Sequence, residues 1–203
     1  MKKLLLLAAI AMLASFVAPL DSLSKKERKF AISFLKDTKK DLEKSIAGLS
    51  DAQLNFKPAP DRWSIKECVY HIAMAEPGIR QFVDVTMKAP ANPEKRTDIK
   101  MTDEQIIKGV EDRSHKAKAP EQIQPQNAKW TNVNDALKSF EEDRAKLINY
   151  IKDTPDEMRN HVSLQSPLGP VDAYQLVLLI GAHTNRHMQQ INEVKADPNF
   201  PKQ

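Results

Sequence analysis

Apolar residues recur at helical spacing in four long stretches of this chain, separated by segments rich in proline, glycine and short polar side chains. The first stretch opens at Ser24-Lys25-Lys26-Glu27, which has the form of a capping box, and Phe30, Phe34, Leu42, Ile46 and Leu49 are expected on its buried side. Residues 48–50 should end it. The second opens at another capping box, Ser64-Ile65-Lys66-Glu67, with Trp63 placed to pack on Cys68 and fix the entry angle. Ile65, Ile72 and Ile79 define its stripe, His71 sits at the edge of that stripe, and Pro77-Gly78 predicts a kink. A third helix is expected over Val133–Asp153, with Ala136, Leu137, Phe140, Leu147, Ile148 and Ile151 facing inward. The fourth starts at Asp172, with Gln175 three residues on, and ends near Ala196 before Pro198.

The connections decide how these helices stack. Residues 55–60 hold two prolines and should run extended to Trp63. Residues 88–130 are polar and proline-rich, with one modest helical piece opening at Thr102 and reaching about His115. So long a link is what two parallel neighbouring helices require. The expected fold class is therefore all-α, a four-helix bundle in up-down-down-up order with a long crossover between helices 2 and 3. In that order the second and fourth helices are antiparallel neighbours. Beyond a short extended piece at residues 162–164 there is no strand pattern, and neither an internal repeat nor a glycine-rich phosphate loop is found.

The first twenty residues break the pattern. Lys2 and Lys3 precede an apolar run over residues 4–14, extended by Phe16, Val17 and Ala18, as in a secretory signal. The run is shorter than the roughly 20 residues of a spanning helix. The expectation is a signal peptide at residues 1–20, cut between Ala18 and Leu23, followed by one domain over residues 21–203. The mature protein would be exported, periplasmic or extracellular, with no stable membrane span. An apolar content of 41% is enough to bury a core, and with Cys68 as the only cysteine no internal disulfide can form. The net charge of +4 falls by the two lysines if the signal leaves, and the remaining basic residues are interspersed with acids, so no nucleic-acid footprint is present.

Chemistry concentrates in the fourth helix. His183 and His187 stand just over one turn apart, on the side that carries Leu176, Ile180, Ile191 and Val194. Buried imidazoles without partners cost about 1–3 kcal/mol each, which a shared cation would offset. The bundle order brings His71 of the second helix beside them. Three neutral imidazoles on one divalent ion (Zn, Ni, Fe or Mn) leave a coordination position for water or a thiol, the pattern of catalytic sites. Cys68 reads as a small buried hydrophobe, with a soft ligand or nucleophile as its alternative, Trp63 as an anchor for the helix start, His115 as an exposed loop residue and His161 as a packing residue before an extended piece, with the mouth of the site as its alternative. Tyr70 and Glu76 read equally as groups orienting an imidazole or as a solvated surface.

The segment Trp63-Ser64-Ile65-Lys66-Glu67-Cys68-Val69-Tyr70-His71, then Leu168-Gly169-Pro170, then Ala182-His183-Thr184-Asn185-Arg186-His187-Met188-Gln189-Gln190-Ile191, resembles the DinB-like (YfiT-type) superfamily of four-helix bundles. That resemblance implies a metal triad of His71, His183 and His187, all three intact here. It also implies a range of activities, from bacillithiol S-transferases and a mycothiol-dependent maleylpyruvate isomerase to metal-dependent hydrolases. The partner expected is a small-molecule substrate, a thiol among the candidates; homodimers are common among such bundles, although no exposed seam is evident. The alternative is a non-catalytic metal-binding or structural helical module.

Overall fold

The structure, a computed structural model, describes residues 22–115 and 118–202, so the expected signal peptide at residues 1–20 lies outside the described residues. The chain forms α1 (Lys25–Ile46), α2 (Asp51–Asn55), α3 (Ile65–Lys88), α4 (Asp103–Glu111), α5 (Val133–Asp153), β1 (Val162–Ser163), β2 (Val171–Asp172) and α6 (Ala173–Lys195), joined in places by short 3-10 turns. Reciprocal capping boxes start α1, α2, α3, α4 and α6, from Ser24, Ser50, Ser64, Thr102 and Asp172 respectively. Asn132 caps α5 through the amide of Asp135. The short α2 falls in what the sequence pattern treats as a connection, although Ser50-Asp51-Ala52-Gln53 carries the same capping signal.

The four long helices α1, α3, α5 and α6 form the bundle, with α1 and α3 each packed against both α5 and α6. Side-chain contacts set the directions. Tyr174 donates to the Glu27 carbonyl at 2.8 Å and Lys195 to the Ser45 carbonyl at 2.9 Å, so α1 and α6 run parallel. Arg28 at the start of α1 reaches the Ile151 and Thr154 carbonyls at the end of α5, making that pair antiparallel. Glu76 with Arg144, and Arg80 stacked on Tyr150 at 4.4 Å, run α3 and α5 in one direction. The order is up-down-down-up, with residues 89–132 as the crossover between parallel neighbours. Within that crossover α4 lies against α6. Asn185 and Gln189 bond to Glu111, which covers a third side of α6 and explains why so much of it is buried.

The core divides into two apolar clusters. One centres on Leu35, Val83, Leu147, Ile151, Leu176 and Ile180, the other on Leu42, Ile65, Ile72, Phe140, Ile191 and Val194. Between them sits Arg144, with 0% exposure. Its guanidinium donates to both Glu76 oxygens (2.6 and 2.8 Å) and, at 2.8 Å each, to Thr38 Oγ1, the Leu35 carbonyl and Thr184 Oγ1. All five donors of the side chain are thereby used. At the far end Arg159 ties together Glu27, Asp103 and Asp172, acids that begin α1, α4 and α6.

One expectation changes, the inward face of α1. Ala31, Leu35, Thr38, Leu42 and Ile46 line the buried face of α1, while Phe30 is 47% exposed and stacks on the half-buried Phe34. The physical reason is α6. A Cβ at Gly181 would lie 2.6 Å from the Phe34 ring, so the ring flanks the close approach of the helices instead of filling the interior. In α3, Pro77 sits inside a helix that continues to Lys88. No helix among the described residues is long and apolar enough to cross a membrane.

Candidate metal centre

His71 lies in the second turn of α3, and His183 and His187 lie at the middle of α6 and one turn beyond it. Antiparallel packing of those helices brings the three rings together. Their centroids are 5.1 Å (His71–His183), 4.5 Å (His71–His187) and 4.6 Å (His183–His187) apart. One nitrogen from each ring can be chosen so that all three lie within 4.8 Å of one another, and these three residues could hold a metal ion. Nε2 of His71 and Nε2 of His183 stand 3.2 Å apart. Two ligands of one tetrahedral ion, with bonds near 2.1 Å, stand about 3.4 Å apart.

Two of the outer nitrogens are already engaged. A carbonyl can only accept, so His71 Nδ1–H donates to the Ile123 carbonyl at 2.8 Å, which leaves its Nε2 with a lone pair. His187 Nδ1 bonds Gln190 Oε1 at 3.1 Å, an arrangement that likewise leaves Nε2 for the interior. Ile123 belongs to the crossover and Gln190 to the next turn of α6. The backbone carbonyl has no sequence signature; Gln190, at three residues beyond His187, does.

His71 and His187 are buried and His183 is half-buried. Burial holds all three pKa values below the ordinary imidazole range, His183 down to about 3, and for His183 and His187 a neighbouring ring adds to the effect. The rings are neutral at physiological pH, the state a metal ligand needs. Trp63 packs on two of them, at 4.9 Å from His71 and stacked at 5.8 Å on His187. It is more than an anchor for the helix start: the indole forms a wall of the cluster.

Other residues singled out in the sequence fall elsewhere. Cys68 is buried in the second apolar cluster, where burial pushes its thiol far above the usual range, so it supplies no thiolate. Tyr70 turns to Trp130, 6.2 Å away, and Glu76 is buried in the Arg144 pair rather than solvated. His115 is exposed. His161 lies beside β1, and its backbone carbonyl accepts from Ala173 at the opposite end of α6. Glu193, six residues beyond His187, is clamped by Arg113 and Arg62 at 3.0 and 2.9 Å, and chiefly the Arg113 bond holds its carboxyl below the usual range. Among the described residues no carboxylate joins the three imidazoles.

An up-down-down-up bundle with three histidines converging from its second and fourth long helices defines a narrow class of helical protein. Residues 35–191 match the sequence model of the DinB superfamily, and the chain belongs to that family. It is 26% identical over 151 residues to the uncharacterized protein YuaE of Bacillus subtilis (strain 168), covering 74% of this chain and 88% of the relative. The fold is shared with YfiT from Bacillus subtilis, described as a probable metal-dependent hydrolase with an unusual four-helix bundle topology. That superposition has a TM-score of 0.60 at 14% identity and covers 90% of this chain and 94% of YfiT.

Proposed function

We propose that this protein is an exported metal-dependent enzyme in which His71, His183 and His187 hold one divalent ion that activates water or a thiol for hydrolysis or group transfer. The observation that carries the reading is the convergence of three neutral imidazoles from two helices, two of them with their outer nitrogens engaged. The relation to YfiT supports hydrolysis as the first activity to test. A divalent ion at such a site lowers the pKa of bound water to about 7 or deprotonates a thiol outright. The chain's own part is to orient the donors. The Ile123 carbonyl fixes the tautomer of His71, Gln190 does so for His187, and Trp63 shields both rings.

A second reading, a non-catalytic metal-binding module, is favoured by one observation: among the described residues no carboxylate joins the three imidazoles as a general base. Metal analysis after purification in a mixture of Zn, Ni, Fe and Mn salts separates these readings from a purely structural bundle. We expect one equivalent of metal per chain in the wild type and less than a tenth of that in His183→Ala. Equal metal content in the two proteins would defeat the site assignment. Metal-loaded protein is then offered ester, amide and thiol-acceptor panels; turnover lost in His183→Ala establishes the enzyme, and silence across all of them favours the module. Gln190→Ala, which frees the ring it orients, is expected to weaken metal affinity about 10–100-fold, as read by competition with a chromogenic chelator.

A further inference from the structure

The stripe of α3 that carries His71 continues one turn on to Ala75, then to Gly78, Ile79 and Phe82. The stripe of α6 that carries His183 has Leu179 one turn before it. These residues line one half-open pocket of about 240 Å³, together with Ile123 from the crossover and Ser166 and Pro167 from the turn between β1 and β2. Ile123 is the residue whose carbonyl holds His71, so the pocket and the histidine cluster share a wall. Along the helix axes, about one turn of backbone rise, near 5.4 Å, separates His71 from Ala75 and His183 from Leu179.

The lining is almost wholly apolar, with Ser166 as its one polar side chain, and the Ser166 hydroxyl already accepts from the Leu168 amide. A pocket of this volume is below the roughly 300–1,000 Å³ of drug-sized sites, so it suits a fragment of a ligand rather than a whole one. Gly78 lines it. A Cβ built there meets nothing within 4 Å, so the space beside α3 is open at this position and a larger side chain can enter it.

We infer that this pocket receives the hydrocarbon part of the substrate while its polar head lies at the three histidines. The substrate class is then a small amphiphile, a carboxylic acid derivative or thiol bearing a short unbranched or singly branched apolar group. This rests on the metal reading above for the head, and on the pocket alone for the tail. The two can fail separately.

Two probe series tell them apart, straight-chain hydroxamates from acetyl to octanoyl and the 1-alkanols of matching length, which lack a metal-binding head. Hydroxamate affinity for the metal-loaded wild type, measured by calorimetry, should rise about fourfold per added methylene until the pocket is full. Methyl NMR signals of Ala75, Ile79 and Leu179 should shift with both series. Gly78→Leu fills the space and also strengthens the helix, so it should flatten the chain-length dependence without a folding defect. Leu179→Ala should move the plateau to longer chains, a change in the opposite sense that misfolding cannot produce. Hydroxamates that bind with no dependence on chain length overturn the pocket assignment and leave the metal reading standing. Alkanols that shift the three methyls, with hydroxamates no tighter, keep the pocket and remove the metal. If neither series moves those signals, the inference is wrong.

Discussion

Replacing Arg144 by methionine is expected to lower stability by about 3–5 kcal/mol, or about 6–20 °C in melting temperature for a chain of this size. The side chain is fully buried and the Glu76 carboxylate it holds is 3% exposed. Burial alone pushes the Glu76 carboxyl upward and the guanidinium opposes it. Without Arg144 that carboxylate has to stay charged with no partner or take up a proton, and both cost free energy. The surface pair Lys108–Glu104 is well solvated, and its loss is not expected to register. The double variant Arg144→Met with Glu76→Met should recover most of the loss, because it removes both charges together. Thr38 and Thr184 do not strand their hydroxyls in that variant, since each also reaches a carbonyl of its own helix, Leu35 and Ile180. Urea denaturation of the three proteins decides it. A single variant within about 1 kcal/mol of wild type, or a double variant no more stable than the single, would refute the claim that an ionic layer is poised between the two halves of the core.

This layer shows what the sequence hides. Helix starts are legible because capping boxes are local; Ser24, Ser64 and Asp172 cap the helices they mark. Topology is legible through one length, residues 89–132, which only parallel neighbours need. The histidine cluster follows from spacing within α6 and from that topology. Arg144 is not legible, because a lone arginine among acids on α5 reads as surface until Glu76 arrives from α3, 68 residues away. The inward face of α1 is misread for a related reason. Two phenylalanines outweigh Ala31 and Thr38 in any periodicity, yet helix separation at Gly181 decides which side turns in. Trp63 escapes notice as part of the site because its ring crosses to α6, a contact that local pattern does not encode.

Metal should stabilise the folded chain steeply, and the histidines are the reason. A ligand that binds only the native state at a thousand times its dissociation constant adds about 4.1 kcal/mol, which for a chain of this length is a rise of about 8–16 °C in melting temperature. The unfolded chain keeps His71 and His183 far apart in sequence, so it cannot offer the same grip. His183→Ala removes one of three donors and should abolish the shift. Acid works on the same groups with a fixed sign. The folded state holds the imidazoles below their ordinary pKa, so the unfolded chain binds more protons, and stability of the metal-free protein should fall as pH drops below about 6.5. The pH slope of metal-free His183→Ala should be shallower than that of wild type. Differential scanning fluorimetry with and without added metal, from pH 5 to 8, measures both effects at once. A wild type that melts at one temperature with or without metal across that range would remove the ion from the account of this protein.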